Sequence, residues 1–384
     1  MTNGYFIGLY IAMKSLKPNS ITLVTNTTPT QLDSESSAFN QLKTATDTPV
    51  IQIAFPYGIN NNLVNTSTAN GGTVTSVENM AVCTASNDNN SSAVVTSKRF
   101  IKYRTAQGGK IVFTTIYSAP STLAKQIMGV GTSDNGFFFG YVGTNFCIIK
   151  RNNGVEETIL QTGWNVSTAT WLDKTKGNVY SINYQWLGYG QIVFSIENPS
   201  TGKLEPVHRI KYANANTSTS IRNPSIPIRM EATTSGIGNG VSLRSPSMAA
   251  FIEGTIRQLG PINAIDSTKT VTSAVTLLNI ITIQNKSIYK SQTSFIPVIL
   301  YLLSVTADGN KNAVMQVIKN ANVSGSPSFV DINSDSCIQY DITGLNVTGG
   351  QVILSSGISK ASSRDWDFNE NYFFKSWRID HNCW

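Results

Sequence analysis

The 384-residue chain has little charge, two histidines, four cysteines and no apolar run of membrane-spanning length. Each shortage removes a class of protein. Charged residues make up 13%, about half the usual share, which argues against a charge-rich disordered chain. With His208 and His381 alone, a multi-histidine metal site or a histidine relay is all but excluded. Cys83, Cys147, Cys337 and Cys383 form no C-x-x-C pair, so neither a zinc framework nor a disulfide scaffold is expected. No cofactor or metal is expected from this inventory. Residues 5–13 are apolar but short, interrupted by Gly8 and preceded by no positive charge, unlike a secretory signal. Residues 295–305 (FIPVILYLLSV) fall far short of the roughly 20 residues needed to cross a bilayer, and predict a buried strand rather than membrane insertion.

The formal net charge is +7, yet the basic residues stand singly or in pairs such as Lys98-Arg99 and Lys150-Arg151. Without a basic run or patch, no specific nucleic-acid role is expected. What the chain does hold is Ser, Thr and Asn in excess, together with 14 Tyr, 16 Phe and 6 Trp, enough rings for a sizeable core.

Periodicity points to strands. Residues 50–55 (VIQIAF) alternate before Pro56 stops them. In residues 179–186, Tyr180, Ile182, Tyr184 and Trp186 fall on one side and Ser181, Asn183 and Gln185 on the other. After Gly188-Tyr189-Gly190, the alternation resumes at Ile192, Phe194 and Ile196, which predicts a hairpin. Asn135-Gly136 and Asn153-Gly154 suit type I′ turns, where both central residues need positive φ. No segment of helical length keeps an apolar stripe at i, i+3, i+4 and i+7. The expected fold is all-β, with two tandem antiparallel β-sandwich (jelly-roll-like) domains. The expected divisions are an N-terminal arm over 1–45, a sandwich over 46–262 and a second sandwich over 263–384.

Candidate sites fare unevenly. Gly236-Ile237-Gly238-Asn239-Gly240 looks like a phosphate loop, but a strand-type run follows it where a dinucleotide site needs a helix. Glu156-Glu157 are adjacent and would face opposite ways on a strand, while Glu197, Glu231 and Glu253 stand singly. Nothing matches the E-x-D-x-E strand of jelly-roll glycosidases, and there is no G-x-S-x-G elbow. Cys383 lies near His381 without a third group to make a nucleophile of it. Asp134-Asn135-Gly136 and residues 308–312 (DGNKN) carry oxygen side chains but lack the EF-hand spacing, so turn chemistry accounts for them. The C-terminal end crowds Trp366, Phe368, Tyr372, Phe373, Phe374, Trp377 and Trp384 together. Trp366, Tyr372, Trp377 and Trp384 are the candidate interface or ligand-contact residues, beside the plainer reading that rings here cover an open sandwich end.

The runs GFFFGYVGTNFCIIKRNNG (136–154), NVYSINYQWLGYGQIVFSIENPSTG (178–202) and HRIKYANANT (208–217) resemble a family of virion structural proteins from large double-stranded DNA viruses and phages. NPSIPIR (223–229), SMAAFIEG (247–254) and, in the C-terminal part, SFVDINSDSCIQYDITG followed by TGGQVILSSG extend the resemblance over roughly residues 50–360. It implies a non-enzymatic particle component located in the virion, such as a minor capsid, spike or fibre-associated protein. A homo-oligomer or other virion proteins would be its partners. The family lends no catalytic residues. Two alternatives stand beside it: a carbohydrate-binding module that attaches to host glycans, and a β-sandwich glycan hydrolase.

Overall fold

In the computed structural model, residues 46–254, 261–271, 277–294, 296, 298, 300 and 302–367 are described. The expected N-terminal arm and most of the aromatic C-terminal segment lie outside them. Alternating residues become alternating faces in sixteen consecutive strands: β1 (Asp47–Ala54), β2 (Val64–Ala69), β3 (Thr73–Val77), β4 (Met80–Ala85), β5 (Ser92–Ile101), β6 (Gly109–Tyr117), β7 (Ala124–Gly131), β8 (Gly136–Val142), β9 (Asn145–Asn152), β10 (Val155–Leu160), β11 (Asn178–Tyr184), β12 (Ile192–Asn198), β13 (Lys203–Ile210), β14 (Ile226–Thr234), β15 (Val241–Ser245) and β16 (Ser247–Glu253).

They form two antiparallel sheets. One has seven strands in the order β10-β9-β8-β7-β14-β5-β2. The other has nine, running β13-β12-β11-β6-β15-β4-β3, with β16 paired to both β6 and β1. The fold is all-β, as the periodicity predicts, and the two sheets share one core. Rings from opposite sheets meet there: Phe139 of β8 lies 5.1 Å from Tyr180 of β11 and 5.3 Å from Phe194 of β12, centroid to centroid. Phe137 lies 5.8 Å from Tyr184. Each such side chain, fully withdrawn from water, contributes about 1.5–3 kcal/mol.

The predicted hairpin is present, with Tyr180 opposite Ile196 and Tyr184 opposite Ile192. Its first strand ends at Tyr184, and Trp186, just before the turn, is half-buried and packs against the edge of the same core. Asn153-Gly154 adopts positive φ at both residues (51° and 82°), as a type I′ turn requires. Asn135-Gly136 does not form the expected turn. Gly136 opens β8, and the Asn135 side chain is used elsewhere: its Oδ1 accepts from the Asn153 and Arg222 backbone N–H groups at 3.2 and 3.0 Å.

Beyond residue 261, the described strands pair in one three-stranded sheet and four two-stranded ones. A carboxylate anchors the three-stranded sheet. Asp341, 1% exposed, accepts from the backbone N–H groups of Ser328, Thr343 and Gly344 at 2.9–3.1 Å. Burial alone would raise its pKa, but these bonds outweigh burial and hold it at about 2. Of residues 295–305, expected as a buried strand, 295, 297, 299 and 301 lie outside the described residues, and Val298 is buried. The strand Leu302–Ala307 alternates exposed and half-buried positions because it pairs on one side only, with Ser362–Asp367.

Candidate functional site

Two acidic residues that the sequence does not link, Glu156 and Glu231, converge on the outer face of the seven-stranded sheet. Glu156 of β10 stands beside Arg151 of β9 in the ladder, and Glu231 of β14 points to the same face. Arg151 donates from Nε to Glu156 Oε2 (2.9 Å) and through both Nη atoms to the two oxygens of Glu231 (3.1 and 3.2 Å). Lys125 Nζ closes on Glu156 at 2.7 Å, and Arg229 Nε donates to Glu231 at 2.6 Å. The side chains of Arg151 and Glu231 are each 7% exposed.

Beneath this cluster lies Phe138, fully buried, with the Arg151 guanidinium 4.9 Å above its ring. Phe138 fits because its neighbours lack side chains. A Cβ on Gly131 would come within 2.6 Å of the ring. Ile127, Cys147 and Ile149 complete a small second core on this face.

The arrangement brings two carboxylates to one place, which the sequence left open for a hydrolase, but it suits neither to act as a general acid. Burial alone would raise the Glu231 pKa; the bonds and charge of Arg151, and then Arg229, outweigh it and hold the carboxyl at about 2. Glu156 is likewise lowered, with burial opposed by Lys125 and Arg151. A two-carboxylate glycosidase needs one member kept protonated, with a raised pKa. Both members of this pair are ionised at neutral pH. The cluster is a structural lid over Phe138.

The other carboxylates stay apart on separate elements. Glu157 pairs with Lys150 at 2.8 Å, and Glu253 lies over Gly108. Cys83 and Cys147 are buried, and burial pushes both thiols up to about 12, which leaves no thiolate for chemistry. Gly236–Gly240 links β14 to β15 as a loop, without a following helix. Among the described residues no group of three or more His, Cys, Asp or Glu side chains could hold a metal ion. Of the candidate aromatic residues, Trp366 is half-buried in the strand Ser362–Asp367, opposite Leu303. Tyr372, Trp377 and Trp384 lie outside the described residues.

A different set of residues gathers at the sandwich end where β5, β7, β9 and β11 finish. The loops 102–108, 132–135, 153–154, 185–191 and 211–225 meet there and hold one another. The Trp186 Nε1–H donates to the Ile221 carbonyl (2.9 Å), the Tyr189 hydroxyl to the Thr217 carbonyl (3.0 Å) and Asn152 Nδ2 to the Thr219 carbonyl (3.0 Å). Arg222 Nη1 donates to Asn153 Oδ1 at 3.1 Å, and Gln185 Nε2 to the Ala106 carbonyl at 3.0 Å. Tyr103 packs edge-on against Trp186, with centroids 5.1 Å apart, and its hydroxyl accepts the Leu187 N–H at 3.1 Å. Leu187 therefore holds a φ of +39°, a region that bulky side chains rarely occupy, while 46% of it faces solvent. Strain of this kind costs on the order of 1–3 kcal/mol and persists where surrounding bonds fix it, often at binding sites.

Below this rim, a narrow cleft of about 10 Å³, room for about one water molecule, opens between the 102–108 loop and Tyr184, with Lys102, Arg104 and Gln107 on its walls. The ring of Tyr184 lies on Gly109, where a Cβ would come within 2.8 Å of Cζ. The sequence singled out none of these residues as a site. The alternation marks Tyr184 and Trp186 as one face, and the point where the strand ends leaves Tyr184 fully inside the core and Trp186 half-buried at its edge.

No family model matches the chain, and no curated protein does. Among solved structures it is similar to the Emp47p carbohydrate recognition domain, with 12% identity over 54% of this chain and 98% of that one, at a TM-score of 0.37. It is similar also to peanut lectin with a 9mer peptide (12% identity, 56% of this chain and 100% of that one, TM-score 0.37). A third is lectin UEA-II complexed with galactose (11%, 54% and 100%, TM-score 0.35). At identities and scores this low, the likeness carries no argument about what this chain binds.

Proposed function

We propose that the chain is a carbohydrate-binding module that attaches to glycans through the loop rim of its large sandwich. The observation that carries this reading is the rim itself. Trp186, Tyr103, Leu187 and Tyr189 stand together on loops that are hydrogen-bonded to one another rather than left free. A sugar ring presents C–H faces that pack on aromatic surface and hydroxyls that need fixed donors and acceptors. Loops already held in place bind such a ligand with little ordering cost. Tyr189, 38% exposed, is the residue to test. Tyr189→Ala is expected to weaken saturable glycan binding about tenfold or more, as for loss of a well-seated aromatic contact, while loss of its bond to the Thr217 carbonyl lowers stability by only about 1 kcal/mol. A glycan array with no saturable ligand, or an unchanged affinity in Tyr189→Ala, would overturn the reading.

A second reading, that of a particle component acting through self-association, is favoured by the C-terminal part. Its described buried apolar side chains are Val298, Met315, Cys337 and Ile358, whereas Val314 is 67% exposed, Ile288 64%, Leu302 54% and Val352 50%. Two-stranded sheets are marginal by themselves, and a second copy of the chain would cover these side chains and the open strand edges. Such a protein would work in the virion that the family resemblance implies, with attachment and assembly in one chain. Sedimentation equilibrium is expected to give a species several times the 41.6 kDa of one chain. A single-chain mass at every concentration would remove this reading and leave glycan binding standing.

A further inference from the structure

We propose that two copies of the chain pair through the open edge of the strand Ala313–Lys319, antiparallel and centred on Gln316, to make one four-stranded sheet. This inference rests on the self-association reading and names the surface through which the copies meet.

This edge is unguarded where others are not. Among the described residues, Ala313–Lys319 pairs on one side only, with Gln351–Ile358. An outer strand offers a row of unpaired N–H and C=O groups, and proteins blunt such edges with charges, proline or bulges. The sandwich does so: β10 carries Glu156 and Glu157, β13 carries Lys203 and Pro206, and β1 carries Pro49 beside a bulge. The strand Gln351–Ile358 is likewise interrupted, because Ile353 has no partner where the register shifts between Val317 and Ile318. Ala313–Lys319 (AVMQVIK) has none of these devices before its last residue.

The strand's own sequence identifies the occupant as a second copy. Turned antiparallel about Gln316, Val314 stands opposite Ile318 of the second copy, and Met315 opposite its Val317. Apolar side chains then meet on both faces of the sheet. Lys319 falls opposite Ala313, so no like charges face each other across the seam. Directly paired residues share a face, which puts Val314, Ile318 and Val352 together on one side of the ribbon. That side is open to water, with Val314 67% and Val352 50% exposed. On the reverse side Met315 and Ile358 are already buried, at 8% and 2%. Two strands by themselves are marginal in water, whereas four strands with an apolar face are not.

The test reads geometry and mass on the full chain. Gln316→Cys, in a Cys383→Ser background, is expected to form a disulfide between copies on mild oxidation. Directly opposed residues of an antiparallel pair have Cα atoms about 4.5–5.5 Å apart, within disulfide reach. Ser355→Cys, one strand further in, sets the two thiols about 14 Å apart across three strand spacings and should not link. Gln316→Lys places two lysines opposite each other and is expected to weaken the pair about tenfold or more in sedimentation equilibrium. Within its own copy the Gln316 side chain makes only a long contact, 3.5 Å to Ser355 Oγ, so the fold should survive the change. Mixing Gln316→Lys with Gln316→Glu is expected to restore the pair, which a folding defect would not allow. An assembly with an odd number of chains, or one that Gln316→Lys leaves intact, would overturn this inference and leave self-association through another surface. A single-chain mass at every concentration would overturn both.

Discussion

Arg151→Leu is expected to destabilise the large sandwich by about 3–5 kcal/mol, the effect of removing one partner from a buried ionic group. Leucine keeps the apolar cover over Phe138, so the loss reports on charge rather than on packing. It leaves Glu231 with Arg229 and Glu156 with Lys125, each carboxylate short of the bonds that offset its burial. For a domain of this size, the thermal midpoint should fall by roughly 10 °C. The comparison variant is Glu157→Gln, which breaks the pair with Lys150 at a carboxylate 59% exposed and should cost less than about 1 kcal/mol.

The pH dependence gives the same argument a sign. The folded pKa of Glu231, about 2, lies below its unfolded value. Its stabilising contribution is therefore complete above the unfolded carboxylate pKa and is lost as pH falls through that value toward about 2. Asp341 adds a loss in the same direction. Midpoints measured from pH 7 down to pH 2 should show wild type and Arg151→Leu converging at the acid end. A constant gap across that range would mean the cluster does not stabilise through ionised carboxylates.

Phe139→Ala is expected to cost about 3–5 kcal/mol, the usual consequence of emptying a buried aromatic site that cannot collapse. Its ring touches Trp164, Tyr180 and Phe194, and its carbonyl accepts the Tyr117 hydroxyl at 3.1 Å. Walls contributed by both sheets cannot close without moving a whole strand. Phe138→Ala should cost a comparable amount, because Arg151 above it is fixed by Glu156 and Glu231 and cannot settle into the space without breaking those bonds. Urea unfolding of the two variants decides the matter. A loss below about 1 kcal/mol in Phe139→Ala would show that the sheets are not joined through this ring.

These two phenylalanines also mark how far the sequence could be read. The run GFFFGYV is legible as a strand, and strand geometry alone sends Phe138 and Phe139 to opposite faces. That both faces are buried is not legible, because the cover over Phe138 comes from β9, β10 and β14. Arg151 and Glu231 are 80 residues apart, and no spacing rule links them. The strand ends show the same limit. Asn153-Gly154 behaves as its local chemistry predicts, whereas Asn135 is drawn out of its expected turn by backbone donors at Asn153 and Arg222.

The sequence by itself determined the fold class, the hairpin of β11 and β12, and the poverty of metal-ligating and nucleophilic groups. Those properties follow from composition and from a period of two, both of which are local. The tertiary structure decided which carboxylates share a face, and that among the described residues the hydroxyls of Tyr180 and Tyr184 are buried without a bond. Those properties depend on groups far apart in the chain that become neighbours only when the strands are in register.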